Sequence, residues 1–123
     1  MDPLTTVSSD KRQGADMQRL CAVIALPSEN RQQYEDLHKS VWPSVLQRLH
    51  DSNVRNYSIY RYRELLVSYM EYVGENLELD MAAIAEDPTT LEWWELTAPL
   101  QMSLRADTGD EWWTQIPEVF HMD

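Results

Sequence analysis

Tyr34 and His38 are four residues apart in a stretch where apolar and aromatic positions (Tyr34, Leu37, His38, Val41, Trp42) recur at spacings of three and four. On a helix that spacing stacks a phenol and an imidazole on one face. Imidazole exchanges a proton readily near neutral pH, and a neighbouring phenol can donate to or accept from a bound hydroxyl. The pair therefore has the composition of a proton-transfer site with a polar assistant. The same two rings would equally serve as packing beside Leu37 and Val41, and spacing alone leaves both roles open. Trp93 and Trp94 are adjacent, hence about 100° apart around a helix. One ring can fill the interior while the other offers a flat wall to the C–H face of a small ligand such as a sugar, with burial of both as the plain alternative. Trp112 and Trp113 form a second pair with the same ambiguity.

Other chemistries lack their residues. His38, His50 and His121 have no Cys or carboxylate pattern at metal-ligand spacing. The chain has three glycines, no glycine-rich loop for phosphates and no G-x-S-x-G elbow. Metal, nucleotide and serine-hydrolase sites are not expected. Glu35 and Lys39 are four apart and read as an ion pair on a solvated face.

These residues must be positioned by a small fold. A chain of 123 residues is the size of one domain with one core. Its apolar mass is aromatic, with six tyrosines and five tryptophans against one phenylalanine. Buried Tyr and Trp need partners for O–H and N–H, so some rings should reach a wet pocket. The net charge of −11 repels phosphate backbones and anionic lipid, so neither nucleic acid nor membrane is an expected partner. Cys21 is the only cysteine, which excludes an intramolecular disulfide and fits a reducing, cytoplasmic compartment. No apolar run approaches the ~20 residues of a membrane span.

Residues 1–16 are polar without a hydrophobic period and read as a flexible tail, leaving residues 17–123 as the domain. A nearly continuous apolar run over residues 18–26 suits a buried strand. A helix capped by Ser28 follows from residue 29 and continues to Leu49, with Pro43 kinking or restarting it. Residues 54–62 and 65–73 are rich in β-branched and aromatic residues and are separated by Arg63-Glu64 alone, a hairpin whose turn lacks the usual glycine or asparagine. In the first of these strands Tyr60 and Tyr62 share one face, with Tyr57 on the other if the register is unbroken. A second helix spans residues 75–86, and a third begins at Thr89 with Thr89 and Glu92 as a capping box. Residues 106–110 read as loop and 116–122 as a closing strand. The order β-α-β-β-α-β predicts an α+β, ferredoxin-like sheet with its helices on one face. The other face needs a cover, which predicts a homodimer formed through the sheets.

Four motifs in order, Tyr34-x-x-x-His38-x-x-x-Trp42-Pro43, Asn56-Tyr57-x-Ile59-Tyr60, Trp93-Trp94 and Glu118-Val119-Phe120, resemble those of the L-rhamnose mutarotase family. The likeness covers residues 17–123. It departs from the family pattern at Lys39-Ser40-Val41, where an asparagine and a proline are common, and in the extra N-terminal tail. The resemblance implies a dimeric α/β barrel built from ferredoxin-like protomers, with His38 as the proton-transfer residue and Tyr34, Tyr57, Trp93 and Trp94 in contact with a monosaccharide. It also implies acid–base ring opening to a neutral open-chain aldehyde, which requires no cofactor. Another small enzyme on the same scaffold, an oxygenase or a haem-handling protein, and a non-catalytic sugar-binding protein are the competing readings, because fold does not fix function.

Overall fold

The computed structural model describes residues 17–105 and 111–123. The tail expected over residues 1–16 and the loop expected over 106–110 lie outside the described residues. The elements run β1 (Gln18–Ala25), α1 (Arg31–His38), α2 (Pro43–Asp51), β2 (Val54–Tyr62), β3 (Leu65–Tyr72), α3 (Leu77–Ala85), α4 (Pro88–Thr97) and β4 (Thr114–Ile116). The four strands form one antiparallel sheet in the order β2-β3-β1-β4, the ferredoxin-like arrangement anticipated from the pattern.

Alternation along the strands sorts the sheet into two faces. Ala22 and Ile24 of β1 and Leu66, Met70 and Tyr72 of β3 are buried. Val54 and Met70 share a cluster with Leu77, Met81 and Ile84 of α3, which puts this face of the sheet against the helices. The opposite face carries Cys21, Val23, Val67 and Tyr69, with Tyr60 and Tyr62 on β2 and Ile116 on β4 paired into the same rows.

Pro43 restarts the first helix rather than kinking it. Trp42 is extended as the N-cap and Pro43 takes the first helical position, where its missing N–H costs nothing. Pro88 does the same for α4. The expected Thr89–Glu92 capping box is therefore displaced: Asp87 is the N-cap, and its carboxylate accepts from Thr90 N–H at 2.9 Å and from the Thr90 hydroxyl at 2.8 Å. Ser28 caps nothing through its side chain. It opens a single 3₁₀ turn, Ser28–Asn30, ahead of α1.

The hairpin forms with Arg63 in the left-handed region, φ 54°, in the role that glycine or asparagine would usually fill. The closing strand is shorter and earlier than expected. It pairs only Thr114, Gln115 and Ile116 with β1, and Pro117 then has no N–H to extend the ladder. Residues 117–123 have no regular structure, although Glu118 binds the Arg19 guanidinium through both oxygens, at 2.8 and 3.2 Å.

A β-bulge between Arg55 and Ser58, with Asn56 at φ 48°, inserts one residue into β2. Unbroken alternation from Val54 would send Tyr57 to the face away from the helices. The extra residue returns it to the helix side, on the same face as Ile59 and Arg61. Beyond β3, Gly74 sits where an added Cβ would collide with the Tyr72 hydroxyl and lie 2.7 Å from Asn53 Nδ2. Asn53 and Tyr72 both donate to the Asp80 carboxylate, closing the end of β3 onto α3.

Candidate active site

A cavity of about 660 Å³ opens between the helices and β2, a size suited to a small organic ligand. Tyr34, His38, Tyr57, Trp93 and Trp94 all line it. Two of these come from α1, one from β2 and two from α4, so residues scattered in sequence share one wall.

Within α1 the four-residue spacing acts as expected. The rings of Tyr34 and His38 stack with centroids 4.2 Å apart. His38 Nδ1 lies 2.8 Å from the Tyr34 backbone carbonyl oxygen. A carbonyl only accepts, so Nδ1 carries the proton and Nε2 keeps its lone pair. Trp93 meets His38 edge-on at 5.3 Å, and Trp42 meets Trp93 in the same manner at 5.3 Å. The imidazole is thus held between a stacked phenol and an indole edge. Burial lowers its pKa below the ordinary 6.5, against an opposing pull from the bond to the Tyr34 carbonyl, and the ring is neutral at pH 7.

The two tyrosines stay protonated. Burial is the main force raising the Tyr34 hydroxyl pKa well above its usual value, and it pushes Tyr57 up to about 12. Both are therefore hydrogen-bonding groups rather than bases at neutral pH.

Trp93 and Trp94 differ in their surroundings. Trp93 is buried, and Trp94 is half-buried and packs against the cluster around Val54 and Ile84. Both nevertheless reach the cavity wall, so the division into one core ring and one pocket ring is not absolute. Trp113 is buried with Ala22 and Ile24, whereas Trp112 is half-buried and donates Nε1–H to Gln101 at 3.0 Å.

Some lining residues gave no sign in the sequence. Glu35 does not pair with Lys39. It accepts from Arg61 on β2, while Lys39 pairs with Asp36 at 3.1 Å. Lys39 lies just past the last turn of α1 and reaches the nearer carboxylate, and the β2 guanidinium takes Glu35. Thr90 also lines the cavity, and Gln101 stands behind the wall, bonded to Tyr34 Oη at 3.2 Å; neither belongs to a spacing pattern. Among the described residues no cluster of three His, Cys, Asp or Glu is arranged to hold a metal ion, and no helix is long and apolar enough to cross a membrane.

Comparison with known proteins relates the chain as a whole to one family. The family model for L-rhamnose mutarotase matches residues 19–122. The L-rhamnose mutarotase of Phocaeicola vulgatus is 33% identical over 93 residues, covering 74% of this chain and 85% of that protein. The crystal structure of an L-rhamnose mutarotase from Formosa agariphila superposes with a TM-score of 0.66 at 26% identity, covering 86% of this chain and 99% of that one. A solved structure from Nitrosomonas europaea, described as an antibiotic biosynthesis monooxygenase, has a TM-score of 0.57 at 13% identity over 89% of this chain and 96% of its own. It shares the fold alone.

Proposed function

The chain belongs to the L-rhamnose mutarotase family, and from that premise we propose that it interconverts the α and β anomers of L-rhamnose or a related deoxy-sugar by ring opening beside His38. The observation that carries this reading is the His38 imidazole on the cavity wall, neutral, with Nδ1 committed to the Tyr34 carbonyl and Nε2 left basic.

In this mechanism Nε2 takes the proton of the anomeric hydroxyl. The bond between C1 and the ring oxygen breaks with its electron pair remaining on that oxygen, which takes a proton from a water that is in turn reprotonated by the imidazolium, so that C1 becomes a neutral aldehyde and Nε2 is again free. Rotation about C1–C2 presents the other carbonyl face, and the same steps in reverse close the ring. General acid–base assistance of this kind contributes about 10²- to 10⁴-fold. Trp93 and Trp94 offer flat walls to the sugar's C–H faces, and the Tyr34 and Tyr57 hydroxyls bond its OH groups.

Saturation-transfer NMR on L-rhamnose and on sugars differing at single hydroxyls tests the proposal. Exchange between anomer signals well above the uncatalysed rate is expected for L-rhamnose or a close deoxy-sugar. No acceleration on any of them, or oxygen uptake with a quinol-type substrate instead, would refute it.

The outer face of the sheet supports a homodimer. Tyr60 and Tyr62 are each 63% exposed and Ile116 is 39% exposed, in line with Val23 and Val67, and an apolar sheet face of this kind is covered in a stable assembly. Light scattering at micromolar concentration should give twice the chain mass, and Tyr62→Glu with Ile116→Glu should shift it toward the single-chain value. A monomeric parent chain would rule the dimer out. The lone cysteine supports a reducing, cytoplasmic location.

A further inference from the structure

Gln101 links Trp112 to Tyr34. Trp112 Nε1–H donates to Gln101 Oε1 at 3.0 Å, and Gln101 Nε2 donates to Tyr34 Oη at 3.2 Å. The direction of this chain follows from the chemistry of its ends. An indole N–H only donates, so the amide atom facing it is the oxygen. The amide nitrogen, which also only donates, must then face Tyr34. The Tyr34 oxygen is therefore an acceptor on that side, and its own proton leaves in another direction. Among the described residues none accepts that proton, and Tyr34 lines the cavity.

The backbone around Gln101 is held for this task. Its N–H donates to Ala98 O at 3.0 Å, and Asn30 Nδ2 donates to Leu100 O at 3.0 Å. Met102 and Ala25 exchange both backbone hydrogen bonds at 2.9 Å, a bridge to β1. Residues on both sides of Gln101 are thus anchored, one to the start of α1 and one to the sheet.

We propose that Gln101 is a positioning residue that turns the Tyr34 hydroxyl into a hydrogen-bond donor aimed into the cavity, toward a hydroxyl of the bound sugar. This rests on the reading of the cavity as a sugar site. Donor polarity matters there because a sugar hydroxyl paired with the basic Nε2 of His38 gives up its proton, and an oxygen about to lose a proton is best held by a neighbour that donates.

The near-isosteric Gln101→Glu variant reverses the chain. Its carboxylate still accepts from Trp112, but it also accepts from Tyr34 and so withdraws the phenol proton from the cavity. At pH 8 both exchange rate and L-rhamnose affinity should fall roughly tenfold, as for a lost ligand hydrogen bond. Lowering the pH protonates the carboxyl and restores a donor to Tyr34, so the ratio of variant to parent activity should climb toward one. Tyr34 and Tyr57 stay neutral over that range, and Glu111, next to Trp112, is paired with Arg105. His38, stacked on Tyr34, titrates in parent and variant both, so the ratio isolates the new carboxyl. Trp112→Phe removes the donor that orients the amide. It should lose about two- to fivefold with no recovery at low pH.

A pH-independent ratio for Gln101→Glu, or full activity in a folded Trp112→Phe protein, would overturn the inference while leaving the sugar reading intact. If Gln101→Glu does not fold, the Trp112→Phe result decides. A parent chain that neither binds nor exchanges the sugar would remove the sugar reading and this inference with it.

Discussion

Replacing His38 with asparagine should cut catalysed anomer exchange by about 10²- to 10⁴-fold, with the chain still folded. Asparagine is close to histidine in size and keeps a hydrogen-bonding amide, but it cannot take up and release a proton near neutral pH. The substitution separates proton transfer from packing. What it loses structurally is the stack on Tyr34 and the edge contact with Trp93, worth on the order of 1 kcal/mol, the usual cost of a single substitution. Exchange by saturation transfer and unfolding by denaturant should be measured on one sample, with His50→Asn as control, since His50 is exposed on α2. Unchanged exchange in the His38 variant, or an equal drop in the control, would remove His38 from the mechanism.

The pH dependence has a definite sign. The folded-state pKa of His38 lies below 6.5 because burial disfavours the charged ring. The base form therefore persists somewhat below pH 6.5, and exchange should fall only as the pH passes through the lowered value. Stability follows the same direction. The unfolded chain takes up the proton first, so the contribution of neutral His38 is present above about pH 6.5 and is lost as the pH falls through the folded-state pKa. The His38→Asn protein should show a smaller loss of stability over that window than the parent. An equal loss in both would assign the effect to other groups.

Trp93→Ala should lower stability by roughly 3 kcal/mol, near the low end for a buried tryptophan because one side of the ring already borders open space. Against a total of about 5–15 kcal/mol for a typical domain, that is a large fraction. The ring is 5% exposed and lies between Trp42 and His38, so its removal also frees the imidazole. The folded fraction should show reduced exchange. Trp94→Ala is expected to behave differently, with a smaller stability loss and weaker sugar binding, because Trp94 is half-buried and packs toward α3 rather than against His38. Trp93→Phe should recover most of the stability. Identical effects of the two alanine substitutions on folding, with exchange intact in both folded fractions, would contradict this division of labour.

Several features could be read directly from residue order. The split helix at Pro43, the strands on either side of Arg63-Glu64 and the stacking of Tyr34 on His38 each depend on near neighbours: a missing N–H, a period of two, a spacing of four. The β-α-β-β-α-β order follows from those elements, and the sheet order from the rules that connect them. Of the motifs that resemble the mutarotase family, those around Tyr34–Pro43 and Asn56–Tyr60 lie on these elements and Trp93-Trp94 on α4, whereas Glu118-Val119-Phe120 follows the last strand.

What chain order left open involves partners distant in sequence or one-residue irregularities. Whether Tyr57 faces the cavity depends on the bulge at Asn56, a single inserted residue that reverses every later side chain, and no period announces it. Glu35 takes Arg61 rather than Lys39 because β2 brings a guanidinium within reach of α1, a proximity created only by packing. Gln101 meets Tyr34 across a sequence separation of 67, from a segment with no regular pattern. The closing strand stops at Ile116 because Pro117 cannot donate to β1, although the apolar residues after it look strand-like. Composition and spacing therefore determined the elements and the His38–Tyr34 pair. Only tertiary structure decided which face of β2 meets them and which amide aims the Tyr34 proton, because register and long-range hydrogen bonds exist only once the sheet has formed.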